Sequence, residues 1–286
     1  MVGKLFSIAD LPFDFSKKIG VMGILNLTPD SFSDGGDWNK PVDAVARALQ
    51  LEAEGADFLD IGAESTRPNA CEVSLEEERK RLFPVLEKIL SKIRIPISLD
   101  TRRASIAQEA IGLGVSLLND VSAFSFDPEM LEVLSKTKVP FVLMHQRGNP
   151  QTMMQNVEYE DIVLELLTYF QNKILFLESR GIAKERIILD PGIGFAKKGI
   201  QNLKILANLK RFSFLDCPIL VGLSRKSFLQ TYLEQEVPPK QREELAEIAH
   251  LLTAQEGANI LRVHDVKKCI TTLNFLKDFQ EMRGSL

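Results

Sequence analysis

Acidic, amide and basic side chains directly follow several short apolar segments of this 286-residue chain. Asp100, Asn119 and Asp190 each stand at the end of such a segment, and Lys226 follows another. Carboxylates and a carboxamide accept hydrogen bonds from a heterocycle rich in N–H groups, while a lysine donates to a ring carbonyl or ring nitrogen. Asp and Asn also cap helices, and the sequence alone leaves that structural role open. If these four residues share a pocket, they predict a site for a planar nitrogen heterocycle.

A second set of polar residues ends the first and the last of these apolar segments. Asn26 follows the first, and Arg262 and His264 end the last. Arginine and protonated histidine bind phosphate oxygens, and an asparagine oxygen can ligate a Mg²⁺ ion that also holds a diphosphate. A lone histidine more often makes structural hydrogen bonds, and this alternative stays open for His264. We interpret His145 and His250 as structural. The set predicts a site for diphosphate and Mg²⁺.

The apolar segments that position these residues have the character of buried strands. Each is short, rich in Leu or β-branched residues, and bounded by Gly, Pro, Asp or Asn. Amphipathic helical patterns lie between them, and several end at a glycine. The predicted strands are 19–25, 58–61, 95–99, 116–118, 140–144, 187–189, 219–222 and 259–263. The predicted helices are 42–54, 75–91, 104–113, 160–180, 201–211, 242–256 and 266–282.

This alternation predicts a closed parallel barrel of the α/β class, the (β/α)₈ or TIM barrel. An open, doubly wound sheet of eight strands is the alternative that periodicity leaves open. In the barrel, all eight strand ends meet at one mouth, which would bring the two polar sets together. No linker or low-complexity tract divides the chain, so we expect one domain over residues 1–286, with residues 1–18 at its periphery.

Composition excludes several classes of protein. The formal net charge is −4 and no basic stripe with interleaved aromatics occurs, which argues against a nucleic-acid partner. No apolar run is long enough to span a membrane. Three widely spaced cysteines without a C-x-x-C pair favour reduced thiols and a cytoplasmic location. Phosphate-loop, dinucleotide-binding and H-E-x-x-H motifs are absent from the sequence, so it does not support nucleotide hydrolysis or hydride transfer.

Two long loops marked by glycine or proline complete the pattern, over residues 28–37 and 62–72. Loops of this length in a compact domain are usually functional. Together with the strand ends, they form five ordered blocks that resemble those of the dihydropteroate synthases, a family of pterin-binding TIM-barrel enzymes. The blocks are residues 23–36, 64–68, 190–192, 222–227 and 262–266. The resemblance extends over about residues 19–279.

The resemblance implies a transferase of folate biosynthesis. Such an enzyme condenses 6-hydroxymethyl-7,8-dihydropterin diphosphate with p-aminobenzoate to give 7,8-dihydropteroate and pyrophosphate. Diphosphate would leave first, and the amine would then attack the pterin methylene cation that the ring and nearby carboxylates stabilise. Mg²⁺ as cofactor, a homodimer, a cytoplasmic location and competition by sulfonamides at the p-aminobenzoate site are also implied.

The resemblance also assigns roles to individual residues. The pterin would bind Asp100, Asn119, Met144, Asp190 and Lys226. The diphosphate would bind Asn26, Arg262 and His264, with Asn26 as the metal ligand. The p-aminobenzoate would bind Thr66, Arg67, Pro68, Phe195 and Ser227, where a helix N-terminus would favour its carboxylate. The expected catalytic residues are Asp34, Thr66, Arg67 and Lys226.

The chain departs from the family pattern at three places. Asn69 replaces a usual glycine, Leu245-Ala246 replaces a Gly-Ser or Gly-Thr pair, and Arg102-Arg103 is more basic than usual. None of these changes removes an expected catalytic group. A non-catalytic pterin-binding paralogue and a corrinoid-dependent pterin methyltransferase are the alternatives. The two long loops together with Arg262 and His264 favour the synthase.

Overall fold

Eight parallel strands and the helices between them form the body of the protein in a computed structural model, which describes residues 5–8, 11–28, 41–65, 70–148, 151–155 and 157–284. The strands of the described chain are Leu5–Ile8 (β1), Leu11–Asp14 (β2), Gly20–Asn26 (β3), Phe58–Gly62 (β4), Ile97–Asp100 (β5), Leu117–Asp120 (β6), Phe141–Met144 (β7), Ile187–Asp190 (β8), Leu220–Gly222 (β9) and Ile260–Val263 (β10). Its α-helices are Pro41–Ala53 (α1), Leu75–Leu90 (α2), Ala104–Leu113 (α3), Met130–Lys136 (α4), Ile162–Glu178 (α5), Gly199–Leu206 (α6), Glu243–Gln255 (α7) and Val266–Gly284 (α8).

The parallel sheet closes on itself. Its strand order is β8-β7-β6-β5-β4-β3-β10-β9. A bridge between Leu189 and Ile219 joins the two ends, and the Leu189 amide donates to the Pro218 carbonyl at 2.8 Å. The predicted (β/α)₈ barrel is therefore confirmed, and the open-sheet alternative is excluded. All eight barrel strands lie within two residues of their predicted bounds.

The strands are buried on both faces, as their composition predicts. All five residues of β4 are buried, as are all four of β6 and β7. The helices cover the outer face through one apolar stripe each. In α2, Leu82, Leu86 and Ile89 form this stripe, and the Ser74 hydroxyl caps the first turn by accepting from the Glu77 amide at 3.2 Å.

Two helical parts of the fold differ from the prediction. Helix α4 follows β6 and has only seven residues, too few to show a helical period. The chain predicted as helix 201–211 instead ends its α-helix at Leu206 and continues as a 3-10 helix over Leu209–Leu215. In the described chain, no helix is both long enough and apolar enough to cross a membrane.

The N-terminal segment has a structural role that we did not expect. Its described part forms an antiparallel hairpin of β1 and β2. Phe6, Ile8 and Phe15 are buried in one cluster with residues from the interior of the barrel, including Phe58 and Ile188. The segment expected at the periphery thus closes the bottom of the barrel with apolar side chains.

Candidate active site

The inner face of the barrel changes from apolar to polar along the strands. Alternate side chains of a strand point to the same face. The lower level of the inner face is defined by the buried cluster beneath the mouth: Met22, Phe58, Leu117, Val142, Ile188, Leu220 and Ile260. Two residues further along the same strands stand Ile24, Asp60, Asn119, Met144, Asp190, Gly222 and Arg262, and Asp100 takes the same position above Ser98. The predicted strand-end residues therefore share the inner face at the mouth.

Arg262 connects three of these strands by ion pairs. Its guanidinium on β10 contacts Asp60 on β4 at 2.6 and 2.7 Å, and Asp100 on β5 at 3.1 Å. The Asn119 amide nitrogen lies 3.3 Å from Asp60, which leaves the amide oxygen of Asn119 as an acceptor toward the mouth. The predicted pterin residues Asp100 and Asn119 are thus close together, and Arg262, predicted for diphosphate, lies in the same group.

Asp60 holds this group together, although no role was predicted for it from the sequence. It is fully buried and interacts with both Arg262 and Asn119. The available signal was a carboxylate inside an otherwise apolar strand, since buried charges are nearly always paired. The position of its partner, 202 residues away on β10, could not be read from local sequence.

The carboxyl groups at the mouth differ from ordinary surface acids. Burial raises the pKa of Asp100 to about 8, the Asp60 charge adds to this rise, and Arg262 opposes it. Burial also opposes the charge of Arg262, but Asp60 and Asp100 outweigh it and raise the pKa of Arg262. Two carboxylates therefore share one guanidinium, which favours a ligand that brings additional N–H donors to this side of the mouth.

Asp190 and Lys226 form the opposite side of the mouth. The Gly192 amide donates to Asp190 at 2.7 Å, and the Lys226 ammonium lies 4.3 Å from the centre of the Phe195 ring. Burial raises the pKa of Asp190, while the Gly192 amide, Lys226, Arg262 and Lys197 oppose the rise. The loops after β8 and β9 thus bring an acceptor, a donor and an aromatic face to one place.

Asn26 and His264 lie at the ends of the adjoining strands β3 and β10. Asn26 ends β3 beside Gly62, and the His264 amide lies 3.4 Å from the Ser224 hydroxyl. The His264 carbonyl accepts from Arg47 at 2.8 Å. Asn26 and His264 therefore stand at the ends of two neighbouring strands, and their joint role stays a prediction. Among the described residues, no group of three or more His, Cys, Asp or Glu side chains could hold a metal.

Comparisons with known proteins agree with this geometry. The sequence model for pterin binding enzymes matches residues 22–264. A dihydropteroate synthase from Synechocystis is 44% identical over 255 residues, covering 89% of this chain and 88% of the relative. The chain belongs to the dihydropteroate synthase family.

Solved structures support the same assignment. The Xanthomonas albilineans dihydropteroate synthase with 4-aminobenzoic acid is 40% identical, with a TM-score of 0.88 and coverage of 96% of this chain and 97% of that one. The same enzyme in complex with 7,8-dihydropteroate is 38% identical, with a TM-score of 0.85 and coverage of 96% and 98%. The family resemblance stated from five sequence blocks is therefore confirmed, and with it the enzyme class.

Several residues expected from the family pattern lie outside the described part of the chain. These are Asp34 in the first loop, Thr66, Arg67 and Pro68 in the second, and Asn69. The other two predicted p-aminobenzoate residues lie near Lys226: the Phe195 ring is 4.3 Å from its ammonium, and Ser227 directly follows it in the chain. Ser227 begins a 3-10 helix of six residues, Ser227–Tyr232, at the position where the start of a helix was predicted.

The unusual basic pair of this family member is buried. Arg102 contacts Glu64 at 2.8 Å, and Arg103 contacts Glu64 at 3.2 Å and Glu78 at 2.6 Å. Arg103 also donates to the Val73 carbonyl. Because Glu64 lies near the start of the second loop and Val73 directly follows it, the pair connects both ends of that loop to the barrel. The departure at Arg102-Arg103 therefore has a structural function.

The two histidines interpreted as structural make buried contacts. His250 on α7 accepts from the Leu223 amide at 3.1 Å. Glu243, seven residues earlier on the same face of the helix, pairs with Arg225 at 3.1 Å. Helix α7 thus supports the loop that carries Lys226. Its Ala246, one of the departures from the family pattern, is fully buried in the same helix. His145 contacts Lys197, a buried residue for which no role was predicted from the sequence.

Proposed function

We propose that the chain condenses 6-hydroxymethyl-7,8-dihydropterin diphosphate with p-aminobenzoate, forming 7,8-dihydropteroate and pyrophosphate. The observation that carries this proposal is the polar ring at the barrel mouth, in which Asp60 and Asn119 are buried and Asp100, Asp190 and Arg262 are partly buried. It supplies more acceptors than donors, as the amino-substituted edge of a pterin requires. The solved relative that holds 7,8-dihydropteroate supports the same product.

In this proposal, the pterin lies flat across the mouth between the two groups. Asp190 accepts from the N–H-rich edge, and Lys226 donates to the ring carbonyl or a ring nitrogen. Asp100 and the oxygen of Asn119 accept on the other side, and Met144 provides an apolar wall beside Asp190 in the register of β7 and β8. Each acceptor is held by a second residue, which limits its motion before the substrate arrives.

The chemistry follows from the charges around the bound pterin. The C–O bond of the pterin methylene breaks, and diphosphate leaves with the bonding electrons. The buried carboxylates stabilise the resulting cation electrostatically, and Asp34 of the first loop remains a candidate for the same role. The p-aminobenzoate nitrogen then forms the new C–N bond and loses a proton. Positioning and electrostatics carry the reaction, without a covalent bond to the protein.

We further propose that Mg²⁺ serves as cofactor at the edge formed by Asn26. A neutral amide oxygen, completed by waters and diphosphate oxygens, suits a cation that keeps most of its hydration shell. When bound there, the ion would neutralise charge on the departing diphosphate. Arg262 and His264 are assigned to the diphosphate by their position beside Asn26. Activity should be lost in EDTA and restored by added Mg²⁺, whereas undiminished activity in EDTA would exclude this role.

The p-aminobenzoate is assigned to the loops after β4, β8 and β9. The Phe195 ring faces Lys226, and Ser227 directly follows Lys226 in the chain. Thr66, Arg67 and Pro68 belong to the loop that Arg103 and Glu64 connect to the barrel. The relative solved with 4-aminobenzoic acid supports this substrate class. Arg67→Ala should abolish turnover but leave pterin affinity nearly unchanged. Equal losses in both would contradict the assignment of Arg67 to p-aminobenzoate and not to the pterin.

A homodimer is the proposed assembly. Five large apolar side chains are exposed on the last two helices: Ile248 and Leu252 of α7, and Phe275, Phe279 and Met282 of α8. The Phe275 and Phe279 rings stack at 6.5 Å, and an exposed apolar patch of this kind usually marks an interface. Phe275→Glu should give a monomer in light scattering, while the control Phe176→Glu on α5 should not.

A cytoplasmic location stays a prediction, consistent with three free thiols.

The test of the proposed reaction is a pyrophosphate-release assay with the pterin diphosphate and Mg²⁺, with and without p-aminobenzoate. Release that depends on p-aminobenzoate, with dihydropteroate detected by mass spectrometry, would support the synthase reaction. Tight pterin binding without product would favour a non-catalytic paralogue.

A further inference from the structure

Lys197 is a buried lysine behind the proposed pterin site. Only 2% of the residue is exposed. Its ammonium contacts the carbonyl oxygens of Phe195 at 2.9 Å, Gly192 at 3.0 Å and His145 at 3.2 Å, and the His145 Nδ1 atom at 3.0 Å. Three carbonyl oxygens can only accept hydrogen bonds, and an ammonium group supplies the three protons they require.

The loop after β8 bends around this ammonium group. Gly192 and Gly194 have positive φ values of 67° and 81°. A side chain at Gly192 would meet the His145 carbonyl at 1.9 Å, so only glycine allows the loop to approach β7 this closely. The carbonyls of Gly192 and Phe195 therefore point inward to Lys197, while the Gly192 amide points outward to Asp190 at 2.7 Å.

The same loop contains two residues next to the proposed pterin. Asp190 begins it, and Phe195, whose ring faces Lys226, lies near its end. The charged groups that act on Asp190 are Lys226, Arg262 and Lys197. The charged groups that act on Lys197 are Asp190, Lys226 and Arg147. The Lys197 ammonium also contacts the His145 ring. Of the three cations around Asp190, Lys197 is the one bonded to the loop's own carbonyls.

We propose that Lys197 is a positioning residue that holds the loop after β8 in shape and, by its charge, keeps Asp190 ionised for the pterin. This inference rests on the proposed role of Asp190. A buried carboxylate without a nearby cation would take up a proton and lose its ability to accept two hydrogen bonds. Lys226 faces the ligand itself, so a second cation behind the loop supplies charge that does not depend on ligand contacts.

Burial shifts the pKa values of Lys197 and Asp190 in opposite directions, and in both cases it disfavours the charged form. It lowers the pKa of Lys197 to about 7, and Asp190 opposes this fall. It raises the pKa of Asp190, and Lys197 opposes that rise. The two groups therefore stabilise each other's charged form. His145 does not supply the cation, since burial and the Lys197 charge lower its pKa well below the usual value.

The experiment measures the dissociation constant of 6-hydroxymethylpterin by calorimetry between about pH 5 and about pH 7.5, where an ionised Asp190 favours binding. In Lys197→Met the Asp190 pKa rises further. The pH at which pterin affinity begins to fall on acidification should therefore rise by about one pH unit. The loss should be about tenfold at the acid end and smaller at the alkaline end. Asp100 does not affect this difference, because Lys197 is not among the groups that act on it.

Two variants provide controls. Lys198→Met makes the same change at the next residue, whose exposed ammonium pairs with Glu158, and should bind like the wild type. Lys197→Arg keeps the cation and should lose pterin affinity at the same acidic pH as the wild type. If Lys197→Met fails to fold, Lys197→Gln replaces it, because an amide donates to the carbonyls without a charge.

Three results would overturn the inference. Wild-type affinity in Lys197→Met would exclude both roles, and a loss that is equal at every pH would exclude the charge role. Failure of the wild type to bind the pterin would overturn the proposed pterin site itself, and it would be seen before any variant is compared.

Discussion

The two ends of the barrel interior are built from opposite kinds of residue. At the bottom, the hairpin of β1 and β2 closes the barrel, and apolar side chains such as Phe58 and Ile188 fill the space. At the mouth, two residues further along the same strands, Asp60 is buried and Asp100 and Asp190 are partly buried, and the cations near them are Arg262, Lys226 and Lys197. The inner face therefore changes from apolar to polar between one inward-facing residue of a strand and the next.

This contrast separates stability from function along each strand. Burial of apolar area at the bottom stabilises the fold. Buried carboxylates at the mouth cost free energy unless they are paired, and a site that keeps them must recover this cost when ligand binds. Substitutions at the bottom should therefore reduce stability and spare binding, and substitutions at the mouth should do the reverse.

The largest effect is expected at the mouth. Asp190→Ala removes one partner of a buried charged contact with the pterin and should cost about 2–5 kcal/mol of binding, or about 30- to 3,000-fold in Kd. Its free energy of unfolding should stay the same or rise, because a buried carboxylate is removed. Calorimetry and urea unfolding measure the two quantities. A change in Kd below about threefold would remove Asp190 from the pterin site.

The matching substitution at the bottom is Phe58→Ala. Phe58 is 2% exposed and contacts the Phe13 ring of the hairpin at 5.0 Å between centroids. Loss of a buried phenyl ring should lower the free energy of unfolding by about 3–5 kcal/mol. Pterin affinity of the folded protein should be nearly unchanged, because the site lies further along the strands. Parallel losses in stability and affinity would contradict the separation.

The same contrast explains what the sequence could predict. Strands, helices and the strand-end residues depend on local period and on breakers such as Gly, Pro and Asn, so they were found within two residues in most elements. Asp60 and Lys197 were missed because their roles depend on partners brought together by closure of the barrel and by the fold of one loop. The hairpin was missed because its apolar residues gain meaning only when placed beneath the barrel.

A third prediction concerns pH and the Asp60–Asp100–Arg262 group. Burial raises the pKa of Asp100 to about 8, above its unfolded value of about 3.9. A raised carboxyl pKa means that the stability it contributes is complete below the unfolded pKa and is lost as pH rises toward the folded value. Asp100→Asn should therefore raise the Tm of the ligand-free protein at pH 8 and change it little at pH 4. An equal shift at both values would show that Asp100 does not titrate in this range.

The smallest expected effect tests the one polar residue of the lower level. Ser98 is fully buried on β5 below Asp100, and its hydroxyl makes no hydrogen bond to the described residues. Ser98→Ala removes an unsatisfied group and should raise the free energy of unfolding by up to about 1 kcal/mol, with pterin affinity unchanged. Urea unfolding of the variant beside the wild type measures the difference. A clear loss of stability would instead show that the Ser98 hydroxyl has a hydrogen-bond partner, such as a buried water, and that the polar character of the mouth extends one level deeper into the barrel.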